Sequence, residues 1–217
     1  MATFTWSTGV SGDWATATNW IGGTVPNADT ATVVIPNSSS AYTVLVGSSN
    51  SEIINSLDFG GFSGANPTLE IAGTLQFAGS NPTIAFRQGV IQVDSTGLFD
   101  GAAQGQFLIG PSVDFINNGT VRADAGANAA LQILTTLTNN GTLLSSNGIL
   151  SIGGAGISNL ASGTLTGGTY IAQGPTAGAF NQIEIGGNFD AVITVDDATI
   201  VLDGRATDIQ GFSGGTF

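Results

Sequence analysis

Short runs in which apolar and polar residues alternate recur along the chain. Each run is followed by Gly, Asn, Ser or Asp; clear examples are Leu69-Glu70-Ile71, Val90-Ile91-Gln92-Val93, Leu131-Gln132-Ile133-Leu134 and Ile183-Glu184-Ile185. Alternation with a period of two predicts short β-strands that each bury one face. No window shows the i, i+3, i+4, i+7 apolar spacing of an amphipathic helix, so we expect an all-β protein.

A motif of Gly, Thr and an apolar residue recurs at a fixed interval of about 22 residues, which is the signature of a solenoid. The copies are Gly119-Thr120-Val121, Gly141-Thr142-Leu143 and Gly163-Thr164-Leu165. Leucine-rich repeats have a similar period, but their Leu-rich pattern and helical segments are missing. The sequence therefore predicts a right-handed parallel β-helix.

The fixed interval also predicts which residues stack from coil to coil. Glycine tolerates the backbone conformations that tight corners require, so Gly119, Gly141 and Gly163 are expected at corners. The Thr of each copy should then form a hydroxyl ladder outside, and the apolar residue should form a stack inside: Thr120, Thr142 and Thr164, and Val121, Leu143 and Leu165. The pairs Asn117-Asn118 and Asn139-Asn140 should form an amide ladder of the kind seen in stacked sheets.

The first fifty residues differ from the rest of the chain. They contain all three tryptophans, Trp6, Trp14 and Trp20, and the regular coil pattern begins only after them. An open solenoid end needs a cap, so we expect residues 1–50 to form an N-terminal β cap and residues 51–217 to form the parallel β-helix. The tryptophans favour the core of this cap; an aromatic platform that contacts a glycan is the alternative.

Composition excludes several classes of function. The chain has 217 residues with three Lys+Arg, no His, no Cys and a net charge of −12. It therefore has neither the His of a Ser-His-Asp triad nor a thiol nucleophile, and every cation in it is an Arg. So acidic a chain is unsuited to nucleic acid and to anionic membranes. No apolar run is long enough to span a bilayer, so no membrane insertion is expected in this segment.

Catalysis and metal binding have only weak candidates. Asp196-Asp197 with Arg205 is the nearest approach to the acidic cluster of a polysaccharide-degrading β-helix enzyme, and a solvated turn is the simpler interpretation. We therefore expect no enzyme activity and no cofactor. Weakly bound calcium is the one open possibility, at isolated pairs of carboxylates, with a solubilising acidic surface as the alternative. These pairs are Asp94 with Asp100 and Asp203 with Asp208.

The opening residues and three later segments resemble a known family. Residues Trp6, Gly12-Asp13-Trp14, Asn19-Trp20, Val25-Pro26, Asp29 and Val33-Val34-Ile35 resemble the opening module of large bacterial autotransporter and haemagglutinin-like β-helix adhesins. Three later segments are similar to their repeats: Asn139 to Leu143, Asn159 to Tyr170, and Ala198 to Gly204. The resemblance implies a secreted or cell-surface structural protein that adheres and supplies no catalytic residues.

Partners follow from this resemblance and from the expected fold. We expect the protein to contact other copies of itself, end to end or laterally and even as fibres, or an extracellular polysaccharide. A carbohydrate-binding module and, less favoured, a pectate-lyase-like polysaccharide-degrading enzyme are the alternative functions.

Overall fold

A computed structural model shows a protein built almost wholly of short β-strands. The single helical element is the 3-10 turn Ala17–Asn19 within the described residues. The residues that the structure describes are 1–79, 84–102, 107–109, 113–124, 126, 130–153, 156–162, 164–173, 181–185, 195–203 and 207–210.

The described residues contain twenty-three strands, which are arranged in four sheets. The four-stranded sheet contains β1 (Ala2–Thr5), β3 (Ala31–Ile35), β6 (Ser56–Phe59) and β9 (Ile84–Phe86). The six-stranded sheet contains β2 (Gly12–Asp13), β4 (Tyr42–Val46), β7 (Pro67–Ile71), β10 (Gly89–Val93), β13 (Val113–Asn117) and β16 (Leu137–Asn139).

The other two sheets are the eight-stranded and the five-stranded sheet. The eight-stranded sheet contains β5 (Ser51–Ile54), β8 (Thr74–Phe77), β11 (Leu98–Gly101), β14 (Thr120–Ala123), β17 (Thr142–Ser145), β19 (Leu160–Ala161), β20 (Thr164–Gln173) and β22 (Val195–Asp203). The five-stranded sheet contains β12 (Phe107–Ile109), β15 (Ala130–Ile133), β18 (Ile149–Ile152), β21 (Asn181–Ile185) and β23 (Thr207–Gln210).

Consecutive strands go to different sheets, and each strand pairs with the equivalent strand of the next coil. β4, β5 and β6 make one coil, and they pair in parallel with β7, β8 and β9 of the next. The described residues form a parallel β-solenoid of about five turns. The expected all-β solenoid fold is confirmed.

The predicted stacking is confirmed for the first two copies of the repeat. Thr120 aligns with Thr142 and Val121 with Leu143 in the parallel pair of β14 and β17. The amide ladder also forms, because Asn117 Nδ2 donates to Asn139 Oδ1 at 2.8 Å across a separation of 22 residues. Equal spacing in sequence becomes direct contact because each coil advances the chain by one strand separation.

The third predicted rung is wrong. Thr142 aligns with Thr169, and Leu143 with Tyr170, so Thr164 and Leu165 do not continue the two stacks. Thr164 pairs instead with Ala161, in an antiparallel turn between β19 and β20. This turn lengthens the coil before the chain returns to register. Gly163 lies outside the described residues.

The predicted boundary at residue 50 falls inside continuous sheets. Strands β3 and β4 lie before it, and they pair in parallel with β6 and β7 beyond it. The segment that precedes β3 covers the end of the solenoid, with β1 paired to β3 and β2 paired to β4. The solenoid therefore already begins within the first fifty residues.

The interior is a single apolar column filled from all the sheets. Phe77 and Phe99 lie 5.1 Å apart between ring centroids, and Phe99 and Phe115 lie 5.5 Å apart. Such offset and edge-on aromatic contacts add to the free energy gained from burial. In β3, β4, β6, β7, β8, β10 and β14 through β18 buried residues alternate with half-exposed ones, and the apolar buried residues point into this column.

Candidate functional site

A charged row crosses the outer surface of the eight-stranded sheet. Asp100 on β11 lies between Gln76 on β8 and Arg122 on β14. Arg122 Nε and one terminal guanidinium nitrogen donate to the two Asp100 oxygens at 2.9 and 2.6 Å, and Gln76 Nε2 donates at 2.9 Å. The flanking side chains cover Asp100 completely. Asp100 and Arg122 lie on paired strands of successive coils, so this ion pair is a structural contact between coils. The hydrogen bond to Asp100 raises the pKa of Arg122.

The calcium candidates Asp94 and Asp100 have different partners. Asp94 accepts a hydrogen bond from Gln92 Nε2 at 2.8 Å. Burial first, and then the hydrogen bond and charge of Asp94, raise the pKa of Glu70. Asp94 thus interacts with the six-stranded sheet, whereas Arg122 neutralises Asp100.

No group of three or more His, Cys, Asp or Glu side chains that could hold a metal occurs among the described residues. In the other candidate pair, Asp203 belongs to β22 and Asp208 to β23. The side chains of both residues are outside the described part of the structure. Asp196 and Asp197 likewise lie on β22, paired with Leu165 and Thr166. Arg205 is outside the described residues.

The three tryptophans do not form a glycan platform, because their rings are buried. Trp6 and Trp14 have no exposed surface and Trp20 is 2% exposed. Trp20 packs edge-on against both, with centroids 4.9 Å from Trp6 and 4.8 Å from Trp14. Each indole N–H donates to a backbone carbonyl oxygen, those of Val10, Pro26 and Trp14. The cluster is the apolar core of the N-terminal segment.

An exposed aromatic residue does occur at another place, which we call the Phe62 corner and define as Asp58, Phe62 and Arg87. Asp58 lies on β6, on the outer face of the four-stranded sheet, and Phe62 lies in the loop that follows. Arg87 follows β9 on the next coil. Its guanidinium carbon lies 4.9 Å from the centroid of the Phe62 ring, and its terminal nitrogen lies 3.3 Å from Asp58 Oδ2.

The Phe62 loop is fixed at both ends. Gly60 N donates to Ile35 O at 2.8 Å, and Ala65 N donates to Ser38 O at 2.7 Å. In the middle of the loop Asn37 Nδ2 donates to Ser63 O at 2.9 Å. Gly60 has φ +78°, and a Cβ at this position would lie 2.0 Å from the Gln88 carbonyl oxygen, so only glycine fits.

The sequence reasoning missed Phe62 and Asp58 as candidates for a binding site. The available signal was a bulky aromatic among small residues, Gly60-Gly61-Phe62-Ser63-Gly64, where a loop has no interior in which to bury it. Asp58 and Arg87 are 29 residues apart in sequence, and only the coil-to-coil stacking brings them together.

These features define the class of the protein: a parallel β-solenoid with a Trp-rich N-terminal end and an aromatic corner on its outer surface. No family model, no curated protein and no solved structure matches the chain. The described residues include no helix that is long and apolar enough to cross a membrane.

Proposed function

We propose that this chain is a structural and adhesive β-solenoid scaffold of a bacterial surface protein, secreted or held at the cell surface. The observation that carries the proposal is the side-chain ladder along the coils. Like residues stack in register at Thr120 with Thr142, at Asn117 with Asn139, and at Asn118 with Asn140. Such repetition suits a part whose task is to hold shape along one direction.

Two further observations support a mechanical role. The chain has no His, no Cys and no Lys, so it cannot assemble a Ser-His-Asp triad, a thiol nucleophile or a lysine base. The most buried carboxylate of the described sheets, Asp100, is held by an Arg and a Gln and is fully covered. The resemblance of the N-terminal residues to surface adhesins supplies the proposed location.

Self-assembly is the part of this proposal that a microscope can test directly. A scaffold of stacked coils pairs with a further copy through free strand edges or through its faces. Electron microscopy across a concentration series, with and without calcium, should show elongated particles at low concentration and filaments or lateral pairs at high concentration. Compact globular particles would contradict the scaffold role. Elongated single particles at every concentration would contradict self-assembly alone.

A further inference from the structure

The Phe62 ring is the most exposed large apolar side chain of the described residues, at 82%. A Phe left in water forgoes the favourable free energy of burying its ring. A scattered exposed apolar residue is ordinary by itself. Phe62 is unusual because hydrogen bonds hold its loop to the neighbouring strands and because the Arg87 guanidinium contacts its ring. Since the ring is already ordered in the free protein, a ligand that binds it does not have to order it.

Arg87 leaves much of the ring free. Its guanidinium lies over the ring, at 4.9 Å from the centroid. Since the side chain is mostly exposed all the same, a face of the aromatic ring remains open to solvent. An open, rigid aromatic face beside polar groups suits a ligand whose own surface is flat, carries C–H groups and has hydroxyls around its rim. A pyranose ring has this chemistry.

The ion pair beside the ring supplies the polar half of such a site. Arg87 and Asp58 are each 38% exposed, and one nitrogen–oxygen contact of 3.3 Å joins them. A guanidinium carries five N–H donors, so most of them are available to hydroxyl oxygens. The carboxylate oxygen Oδ2 accepts from hydroxyl groups in the same way. Donor and acceptor side by side match the adjacent hydroxyls of a sugar.

The sheet surface next to the ion pair of Arg87 and Asp58 has short side chains. Asp58 is flanked on the neighbouring strands by Val34 and Ala85, which are both short. Further units of a chain could therefore lie along this sheet without meeting a long side chain. The charge of the surroundings selects the kind of polymer that binds. The charges of Arg87 and Asp58 neutralise each other. The protein as a whole has a net charge of −12, which repels polyanions.

We infer that the Phe62 corner binds a neutral glycan, by stacking one sugar ring on the open face of Phe62 and hydrogen bonding its hydroxyls to Arg87 and Asp58. This site goes beyond the scaffold role, and its loss would leave that role unaffected. It also replaces the buried tryptophans as the place where a polysaccharide would be held.

The test uses the intact chain and named polysaccharides. Affinity electrophoresis in gels containing xylan, galactomannan or polygalacturonate, and pull-down with cellulose, measure retention of the wild type and of variants. Calorimetry with hexasaccharides of the retained polymer gives the affinity. We expect at least one neutral polymer to retain the wild type, and polygalacturonate to retain it less.

Matched variants separate the site from nonspecific adhesion. Phe62→Ala should weaken binding about tenfold, because the stacking contact is lost. Phe62→Trp should keep it, and Arg87→Gln should weaken it. Ile21→Ala is the control, since Ile21 is 64% exposed at a place outside the corner. Circular dichroism melting of each variant checks that the solenoid is unchanged.

Four results would overturn the inference. One is no retention of the wild type by any of the neutral polymers. Another is equal binding by Phe62→Ala and the wild type when both are folded. The third is a loss in the Ile21→Ala control as large as that in Phe62→Ala. If Phe62→Ala abolishes a dimer seen by light scattering while glycan binding is absent, the corner is a protein contact and the inference is wrong. Elongated particles in the microscope would still support the scaffold in each case.

Discussion

The side-chain amide of Asn159 is hydrogen bonded to the backbone of Asn139 through both of its ends. Asn139 N donates to Asn159 Oδ1 at 2.6 Å, and Asn159 Nδ2 donates to Asn139 O at 2.9 Å. The same Nδ2 also donates to Thr166 O at 2.8 Å. A side chain here supplies the donor and acceptor that a neighbouring strand would supply, at the point where the chain leaves the regular coil.

Asn159→Ala should therefore destabilise the protein by about 1–3 kcal/mol, since it leaves the peptide groups of Asn139 without these partners. Urea unfolding followed by circular dichroism measures the change. Asn140→Ala is the matched control, because the Asn140 side chain is exposed and its amide donates to a half-exposed side chain, at Asn118 Oδ1. That control should shift stability by less than about 0.5 kcal/mol. Equal effects of the two substitutions would contradict the strand-like role of Asn159.

Gly141 lies directly beside the backbone of the preceding coil. A Cβ on Gly141 would lie 2.2 Å from the Gly119 carbonyl oxygen, so the backbone itself is in the way. Gly141→Val should lower the midpoint of thermal unfolding strongly, with a loss of at least about 3 kcal/mol. Gly101→Ala is the control, because the nearest atoms to its Cβ are at 3.4 Å, an ordinary contact. An unchanged melting temperature in Gly141→Val would contradict the expectation that the glycines of the repeat occupy tight corners of the coil.

The ion pair between Asp100 and Arg122 should be costly to break from one side. Arg122→Leu leaves a fully buried carboxylate without its cation, and we expect a loss of about 3 kcal/mol. The double variant Asp100→Leu with Arg122→Leu should recover much of that loss. The next residues of the same outward row are Leu144 and Ile171, so aliphatic neighbours suit the position. A double-mutant cycle in urea checks this, and additive losses would contradict the coupling.

Glu52 gives the protein a specific dependence on pH. Burial first, and then the charge of Asp13, raise the pKa of Glu52 above its ordinary value, and its Oε2 is buried with no hydrogen-bond partner among the described residues. A raised pKa in the folded state contributes stability that is fully present below the unfolded pKa and is lost as pH rises through the folded pKa.

Glu52→Gln removes this titration. The stability of the variant relative to the wild type should therefore increase as the pH is raised from about 4 to 7, because the wild type must then bury a charge. Urea unfolding of both proteins at several pH values measures the difference. A difference that stays constant across this range would show that Glu52 does not titrate as expected. Glu184→Gln is the control, on β21 of the five-stranded sheet.

The sequence by itself determined the strands of each coil and the stacking of equivalent residues from coil to coil. Strict alternation predicts strands with one apolar face, and the equal spacing of Thr120 and Thr142 predicts that equivalent residues stack, because a solenoid adds one strand per coil to each sheet. It also predicted that the Asn117 and Asn139 amides would meet, which they do. Periodicity is a local property of the chain, so it can be read before folding.

Only the tertiary structure decided where the 22-residue period fails and which side chains of different coils come into contact. Thr169 takes the place expected of Thr164, because the antiparallel turn from Ala161 to Thr164 adds residues within the coil, and a spacing count cannot distinguish a turn from a strand. The Trp side chains are buried because they pack on one another across the end of the column. Asp58 and Arg87 meet because successive coils lie one strand separation apart, and this contact exists only in the folded stack.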